Sequence, residues 1–247
     1  MRISSTLWTV ALLALLAAFP LVAPALGLDF YISFVRRVLI YALAATSLNL
    51  ILGYGGMVAL GHAAFFGAGA YAVGILAMSG VTSALVSWPV AMGLAGLLAC
   101  ITGAISLRTR GVYFIMITLA FAQMLFYIFI SLRQYGGEDG LNLPGYSTLP
   151  GIDLANDVSF YYLVLALFAV AMWLFGRVVA SRFGTALQGI RENESRMESL
   201  GYPVYRIKLT AFTLSGAAAG LAGALLANHN LFLSLIHISE PTRLLSI

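Results

Sequence analysis

Charged side chains are scarce in this sequence of 247 residues. Asp, Glu, Lys and Arg make up 9% of it, whereas hydrophobic residues make up 61% and the mean hydropathy is +0.97. In soluble domains about a quarter of the residues are charged. The deficit excludes a water-soluble globular domain and predicts a membrane protein.

Cysteine and histidine are equally scarce. Cys100 is the single cysteine, so an internal disulfide is excluded. The three histidines are widely separated and lack the spacing of a metal site, and we expect this chain to bind no metal ion and no cofactor. The formal charge is +4, but no dense basic run is present, which argues against a nucleic-acid partner.

Catalytic motifs are missing as well. Gly53, Gly55 and Gly56 do not form a phosphate loop, because no lysine followed by Ser or Thr comes at the required spacing. The apolar runs contain no nucleophile beside a base and no carboxylate pair. They also lack the ionisable groups that proton-driven or sodium-driven carriers place at membrane depth. We therefore expect a chain that is not an enzyme and whose energy source lies outside the membrane.

Seven uncharged apolar runs approach the ~20 residues that a helix needs to cross the hydrocarbon core. The runs cover residues 7–26, 38–52, 58–78, 85–107, 112–132, 160–176 and 209–227. They predict an all-α, polytopic transmembrane helical bundle with about seven spans, forming one domain over residues 1–232. The second run is short, and the glycine-dense stretch 53–56 after it fits a broken or re-entrant element.

Basic residues are unevenly distributed between the two ends of these runs. An amino terminus inside the cell places nine of them in the cytoplasm: Arg2, Arg108, Arg110, Arg177, Arg182, Arg191, Arg196, Arg206 and Lys208. The positive-inside rule therefore predicts a cytoplasmic amino terminus. Arg36, Arg37 and Arg133 fall outside, and the first two are a local exception, explained either by snorkelling or by a misplaced first span.

The first run has a second interpretation. Arg2, the apolar stretch and the small residues Ala23-Pro24-Ala25 resemble a cleaved secretory signal. An uncleaved first helix is the simpler alternative, because the following chain is polytopic.

Polar side chains inside the runs are few, mainly Asn49, His62, Thr118 and Gln123. Asn49 and Gln123 could each line a polar pathway or form an interhelical hydrogen bond that serves packing alone. His62 is either a neutral, hydrogen-bonded packing residue or a ligand or proton carrier. The last run has small residues at Gly216, Gly220 and Gly223. That face serves either packing within the chain or contact with a second membrane chain.

Residues 181–208 form the only long charged segment on the predicted inner side. Ser181 is a typical N-cap residue, and Gly201 followed by Pro203 predicts a helix end. We predict a single short amphipathic helix at the inner membrane surface.

The polar face of this helix mixes charges of both signs. Leu187, Ile190 and Met197 fall on one helical face, and Glu192 and Arg196 have the i, i+4 spacing of an ion pair. Mixed charge favours docking to a protein groove over binding to anionic lipid. A helix that only lies on the bilayer is the alternative.

Three stretches carry a family resemblance. LNLILGYGGMVALGHAAFFGAGAYA (48–72), RTRGVYFIMITLAFAQM (108–124) and residues 181–227 resemble the LivM-type permease of bacterial ABC importers for branched-chain amino acids. Urea-type and amide-type permeases share much of this pattern and are alternatives, as is a stand-alone channel or facilitator. The resemblance implies a transport subunit of the bacterial plasma membrane.

The resemblance also implies partners. They are a second, LivH-like permease, two cytoplasmic ATPase subunits that bind the ATP, and a periplasmic or lipid-anchored substrate-binding protein. In such importers a cytoplasmic coupling helix fits a cleft on each ATPase, and here it corresponds to residues 185–200. The implied coupling residues are Leu187, Ile190, Arg191, Glu192, Asn193 and Glu194, with Gly201 as the turn. Candidates for the translocation path are Asn49, Gly61, His62 and Gln123.

Residues 233–247 break the apolar pattern, with Glu240, Pro241 and Arg243. The run 233–243 resembles the in-frame translation of a sequencing-library adapter. We expect residues 233–247 to be a non-native tail, with a natural polar tail as the alternative.

Overall fold

A computed structural model describes residues 2–22, 29–132, 141–150 and 153–233. Helices dominate these residues, and the predicted all-α bundle is confirmed. They are α1 (Arg2–Val22), α2 (Asp29–Asn49), α3 (His62–Met78), α4 (Ala84–Ser106), α5 (Val112–Ser131), α6 (Asp157–Ala180), α7 (Arg182–Glu192), α8 (Glu194–Ser199) and α9 (Val204–Asn230). A π-helical turn, Leu50–Tyr54, extends α2, and β1 (Leu141–Asn142) pairs antiparallel with β2 (Phe232–Leu233).

Five helical segments of the described chain are long and apolar enough to cross a membrane. They are Phe30–Tyr54, Ala84–Ser106, Val112–Ser131, Asp157–Ala180 and Val204–Asn230. The other two predicted spans coincide with shorter apolar helices, Ala11–Leu21 and His62–Met78. The chain is thus a multi-pass membrane protein, and the count of about seven spans stays a prediction. The candidate cleavage site at residues 23–25 lies outside the described residues.

Helices α9 and α3 form the centre of the bundle, whereas α5 and α6 lie at its periphery. Sixty-one per cent of the most apolar window of α9 is buried, compared with 22% for α5 and 17% for α6. Helix α1 is attached at the edge, where the hydroxyl of Tyr161 in α6 donates to the carbonyl of Leu16 at 2.8 Å.

Glycines allow α9 to approach its neighbours closely. Gly220 lies against the backbone of Gly69 in α3, and Gly223 lies against the backbone of Phe66 in the same helix. Gly216 faces α4 in the same way. A Cβ atom at any of these glycines of α9 would overlap its neighbour, so this small-residue face serves packing within the chain.

The two ends of the bundle differ in charge. One end, which we call the basic end, carries α7, α8 and most of the described basic residues. These are Arg108, Arg110, Arg177, Arg182, Arg191, Arg196, Arg206 and Lys208. The opposite end carries the segment 141–150, where the backbone N–H of Ser147 donates to Asn228 Oδ1 at 2.9 Å. Arg133 and the acidic residues Glu138 and Asp139 lie outside the described residues.

Arg36, the local exception to the charge pattern, is buried at the opposite end. Its side chain is 3% exposed, so it does not snorkel. The guanidinium pairs with Asp157 Oδ1 at 2.8 Å and donates to His229 Nδ1 at 3.0 Å. It also lies over the ring of Phe160, 4.5 Å from the centroid. The arginine therefore joins α2, α6 and α9, and its charge is neutralised inside the fold.

Candidate functional site

The segment at the basic end folds as two short helices. Ser181 begins α7 as predicted, its hydroxyl accepting from the backbone N–H of Gly184 at 3.4 Å. Asn193 then leaves the helical conformation, with φ −155° and ψ 101°, and its Oδ1 accepts from the backbone N–H of Arg196 at 2.9 Å. The single predicted helix is therefore wrong at Asn193, because the asparagine side chain caps a new helix instead of continuing the old one.

The break changes the predicted charge pairing. Among the described residues Glu192 and Arg196 form no ion pair, because the extended Asn193 removes the i, i+4 geometry between them. The predicted end at Gly201 is confirmed, since this glycine follows α8 with φ +83°, a conformation in which a Cβ atom would be strained.

One face of α7 packs against the transmembrane body. Leu187 is fully buried and Ile190 is 3% exposed. Leu187 belongs to a hydrophobic cluster with Leu50 and Ile51 of the π-helical turn. These two side chains hold α7 in place, and they do not face outward as contact residues. Glu192, in the last turn of α7, and Asn193 are exposed.

Ion pairs fasten α8 to two neighbouring elements. Glu194 Oε2 lies 2.7 Å from the Nζ of Lys208 in α9, and Glu194 Oε1 lies 3.6 Å from Arg110 Nη2. Glu198 pairs with the same guanidinium at 3.1 Å. Lys208 and Glu194 are only 14% and 26% exposed, so their pair is partly shielded from water. Glu194 is therefore engaged within the chain.

The sequence pattern did not indicate the two basic partners in this network. Arg110 and Lys208 each lie just beyond the end of an apolar run, where the pattern marks only the membrane boundary. An open cleft of about 200 Å³ lies beside them. Its lining is Gly56, Met57, Val58, Leu107, Thr109, Arg110, Gly111, Phe114, Ile115, Glu194 and Lys208.

Arg191 reaches from α7 to the end of α2. Its guanidinium Nη1 donates a hydrogen bond to the backbone carbonyl of Gly53, within the π-helical turn. Its aliphatic stem covers Gly56, which has φ +66°. After this contact the chain stays non-helical until His62 begins α3. Arg191 thus contacts the broken element that the glycine-dense stretch predicted.

Two of the four path candidates, Gly61 and His62, lie inside the bundle. His62 Nε2 is 2.9 Å from Ser47 Oγ, and the hydroxyl of Ser215 donates to the carbonyl of Ser47. Gly61 packs against the backbone of Thr118 in α5. The cavity beside Gly61 measures about 10 Å³, which is room for about one water molecule.

The other two path candidates, Asn49 and Gln123, are not enclosed by this chain. Asn49, the last residue of α2, is exposed, and its side chain lies beside Gly53. Gln123 is exposed near the middle of α5. The structure therefore does not bring the four candidates together in one cavity of this chain.

Comparisons with known proteins identify the family of this chain. A family model described as "Branched-chain amino acid transport system / permease component" matches residues 30–234. The high-affinity branched-chain amino acid transport system permease protein LivM of Escherichia coli K12 is 29% identical to this chain over an alignment of 256 residues. The alignment covers 94% of this chain and 59% of that protein. The protein of the same name from Salmonella typhimurium LT2 is 29% identical over 260 residues, with the same coverage of both chains.

A third relative comes from an archaeon. The probable branched-chain amino acid transport permease protein LivM of Methanocaldococcus jannaschii is 24% identical over 220 residues, which cover 75% of this chain and 64% of that protein. The chain spans 59% of the length of the two bacterial relatives. No solved structure matches it significantly.

Proposed function

Because the chain belongs to the family of permease components of branched-chain amino acid transport systems, we propose that it is a transmembrane subunit of an ABC importer. It translocates branched-chain or related amino acids across the bacterial plasma membrane, and ATP hydrolysis on partner subunits drives the movement. The names of its relatives support this substrate class. Urea and amides are the alternative substrates within the same kind of permease.

The observation that carries this proposal is the braced pair of helices at the basic end. A segment that transmits movement must be fixed firmly to the transmembrane helices and must also expose a surface to which the ATPase can bind. Leu187 and Ile190 anchor α7 by burial, and the ion pairs of Glu194 anchor α8. The exposed corner at Glu192 and Asn193 remains available to a partner. We propose that this corner docks on a cytoplasmic ATPase subunit.

The proposed orientation follows from the same end. Eight of the described basic residues gather there, and the positive-inside rule assigns such an end to the cytoplasm. The amino terminus is then cytoplasmic, and Arg36 faces the periplasmic side together with the segment 141–150. A substrate-binding protein would dock on that side.

A second permease accounts for an exposed polar residue at membrane depth. An amide that faces lipid there leaves its polar groups without partners, which is costly. Gln123 is exposed near the middle of α5. We propose that this side chain faces a second, LivH-like permease and that the path runs between the two chains. ATP binding and hydrolysis then shift the pair between two states of access.

Cysteine cross-linking tests the docking and the orientation together. With Cys100 replaced by alanine, Asn193→Cys is compared with Ser79→Cys, which is also exposed but lies at the opposite end. We expect the Asn193→Cys variant alone to cross-link to the ATPase, and we expect a membrane-impermeant maleimide to label this variant only in inverted vesicles. Labelling of the thiol at position 193 from the periplasmic side would refute the proposal.

A stand-alone facilitator is the second candidate function. The low charge of the described spans fits this class as well. The two functions differ in their need for an ATPase, so transport by the isolated permease distinguishes them.

A further inference from the structure

Arg191 connects the helices of the basic end to the transmembrane body. We infer that Arg191 is a positioning residue that transmits movement of α7 to the π-helical turn, Leu50–Tyr54, and to the non-helical stretch 55–61 ahead of α3. The inference rests on the proposed function, in which α7 and α8 receive the ATPase. It assigns Arg191 an internal role and not the ATPase contact that the family resemblance implies.

The contact of Arg191 with this segment is close at two points. The guanidinium donates to the carbonyl of Gly53, while the stem of the side chain lies on Gly56. A Cβ atom at Gly56 would lie 2.5 Å from Cγ of Arg191. With φ +66°, Gly56 also adopts a backbone conformation that favours glycine. The side chain of Arg191, although exposed to solvent on its outer side, therefore lies directly on the turn.

The carbonyl of Gly53 is a suitable acceptor for a cation. It lies in the last turn of the helical segment that runs from α2 through the π-helical turn, where carbonyl groups lose their intrahelical partners. The backbone N–H groups of Gly55 and Met57 donate to Leu50 and Ile51 at 3.2 and 2.9 Å, so neither of them reaches Gly53. The negative end of the helix dipole adds to the attraction. Arg191 thus caps this helix end with a charge-assisted hydrogen bond.

The capped turn leads directly into the interior of the bundle. Residues 55–61 end at Gly61, which packs on the backbone of Thr118 in α5, and His62 bonds to Ser47 in α2. A displacement of α7 that moves the turn must also move this junction of α2, α3 and α5. Contiguous contacts between packed elements can carry coupling of this kind, and Arg191 supplies a polar contact between α7 and the turn.

The test uses the assembled importer with both permeases, both ATPases and the binding protein. The variants are Arg191→Ala, the conservative Arg191→Lys, and Arg182→Ala as a matched control at the exposed start of the same helix. Three quantities are measured: ATPase retained on purification, ATP hydrolysed, and radiolabelled leucine taken up into proteoliposomes. Gel filtration of each complex checks assembly.

We expect Arg191→Ala to retain the ATPase and its hydrolysis but to lower leucine uptake per ATP by roughly tenfold. Arg191→Lys should recover part of the loss, because an ammonium group still donates to a carbonyl, and Arg182→Ala should match the wild type. Loss of the ATPase from Arg191→Ala would overturn the inference by making this residue a docking contact. Unchanged uptake per ATP would overturn it too. A wild-type permease that binds no ATPase would instead refute the proposed function.

Discussion

Glu192 and Glu194 lie two residues apart at the basic end and should respond differently to the same charge reversal. Glu192 is exposed and forms no ion pair with any described residue. Glu194 lies 2.7 Å from Lys208 and 3.6 Å from Arg110. We therefore predict that Glu194→Lys destabilises the permease, whereas Glu192→Lys leaves its stability unchanged and weakens ATPase docking.

The size of the Glu194→Lys effect follows from the exposure of its partners. A hydrogen bond between charged groups stabilises by about 1.5–3 kcal/mol, and the 14% exposure of Lys208 places this pair within that range. The pair with Arg110, which is 67% exposed, adds about 0–1 kcal/mol. Repulsion between the new lysine and Lys208 adds about 1 kcal/mol in well-solvated surroundings. The total is about 2.5–5 kcal/mol, compared with about 0.5 kcal/mol or less for Glu192→Lys.

Thermal melting of the detergent-solubilised permease measures this difference. A loss of about 2.5–5 kcal/mol corresponds to a Tm lower by roughly 5–20 °C for a chain of this size. Glu194→Gln, which keeps the shape and removes the charge, should give an intermediate shift. Co-purification with the ATPase completes the comparison and should fall for Glu192→Lys. Equal Tm losses for the two reversals, or no loss for Glu194→Lys, would show that the ion pairs do not brace α8.

Two further comparisons probe the packing of the bundle by thermal melting. Asp157→Ala strands the buried guanidinium of Arg36 and should cost about 2–3 kcal/mol, whereas Arg36→Met leaves a carboxylate that is 60% exposed and should cost about 1 kcal/mol or less; the opposite order would contradict the assigned burial. Gly220→Ala should cost about 1–3 kcal/mol by overpacking against Ala91 and Ala95 of α4, while Gly176→Ala, which meets no neighbour within 4 Å, should be neutral or stabilise by up to about 1 kcal/mol; equal effects would refute close packing at Gly220.

Local signals in the sequence were sufficient for the helices and for several of their ends. The length of the apolar runs predicted the helices, because a backbone that crosses lipid must satisfy its own hydrogen bonds. Ser181 and Gly201 mark helix ends because capping depends on only a few neighbouring residues. The break at Asn193 could not be read in this way. An asparagine is compatible with a helix interior as well as with a cap, and the apolar spacing continues across it.

Contacts between distant residues could not be predicted from local pattern. Arg36 binds Asp157 and His229, and no local feature of the sequence indicates that these residues are in contact. The hydrogen bond from Arg191 to Gly53 is a similar case, because its acceptor is a backbone carbonyl that any residue could supply. Hydrophobicity also fails to distinguish the lipid-facing side of a membrane helix from its buried side. The exposure of Gln123 could therefore be learned only from the structure.

Leucine uptake into proteoliposomes tests whether transport depends on partner ATPase subunits. Vesicles containing the permease pair alone are compared with vesicles containing the complete importer, each with and without ATP and with the binding protein present. We predict uptake only for the complete importer with ATP, because in the proposed function the partner ATPase subunits supply the energy for transport. Uptake by the permease pair alone, down a leucine gradient and at the rate of the complete importer, would contradict this and identify a facilitator.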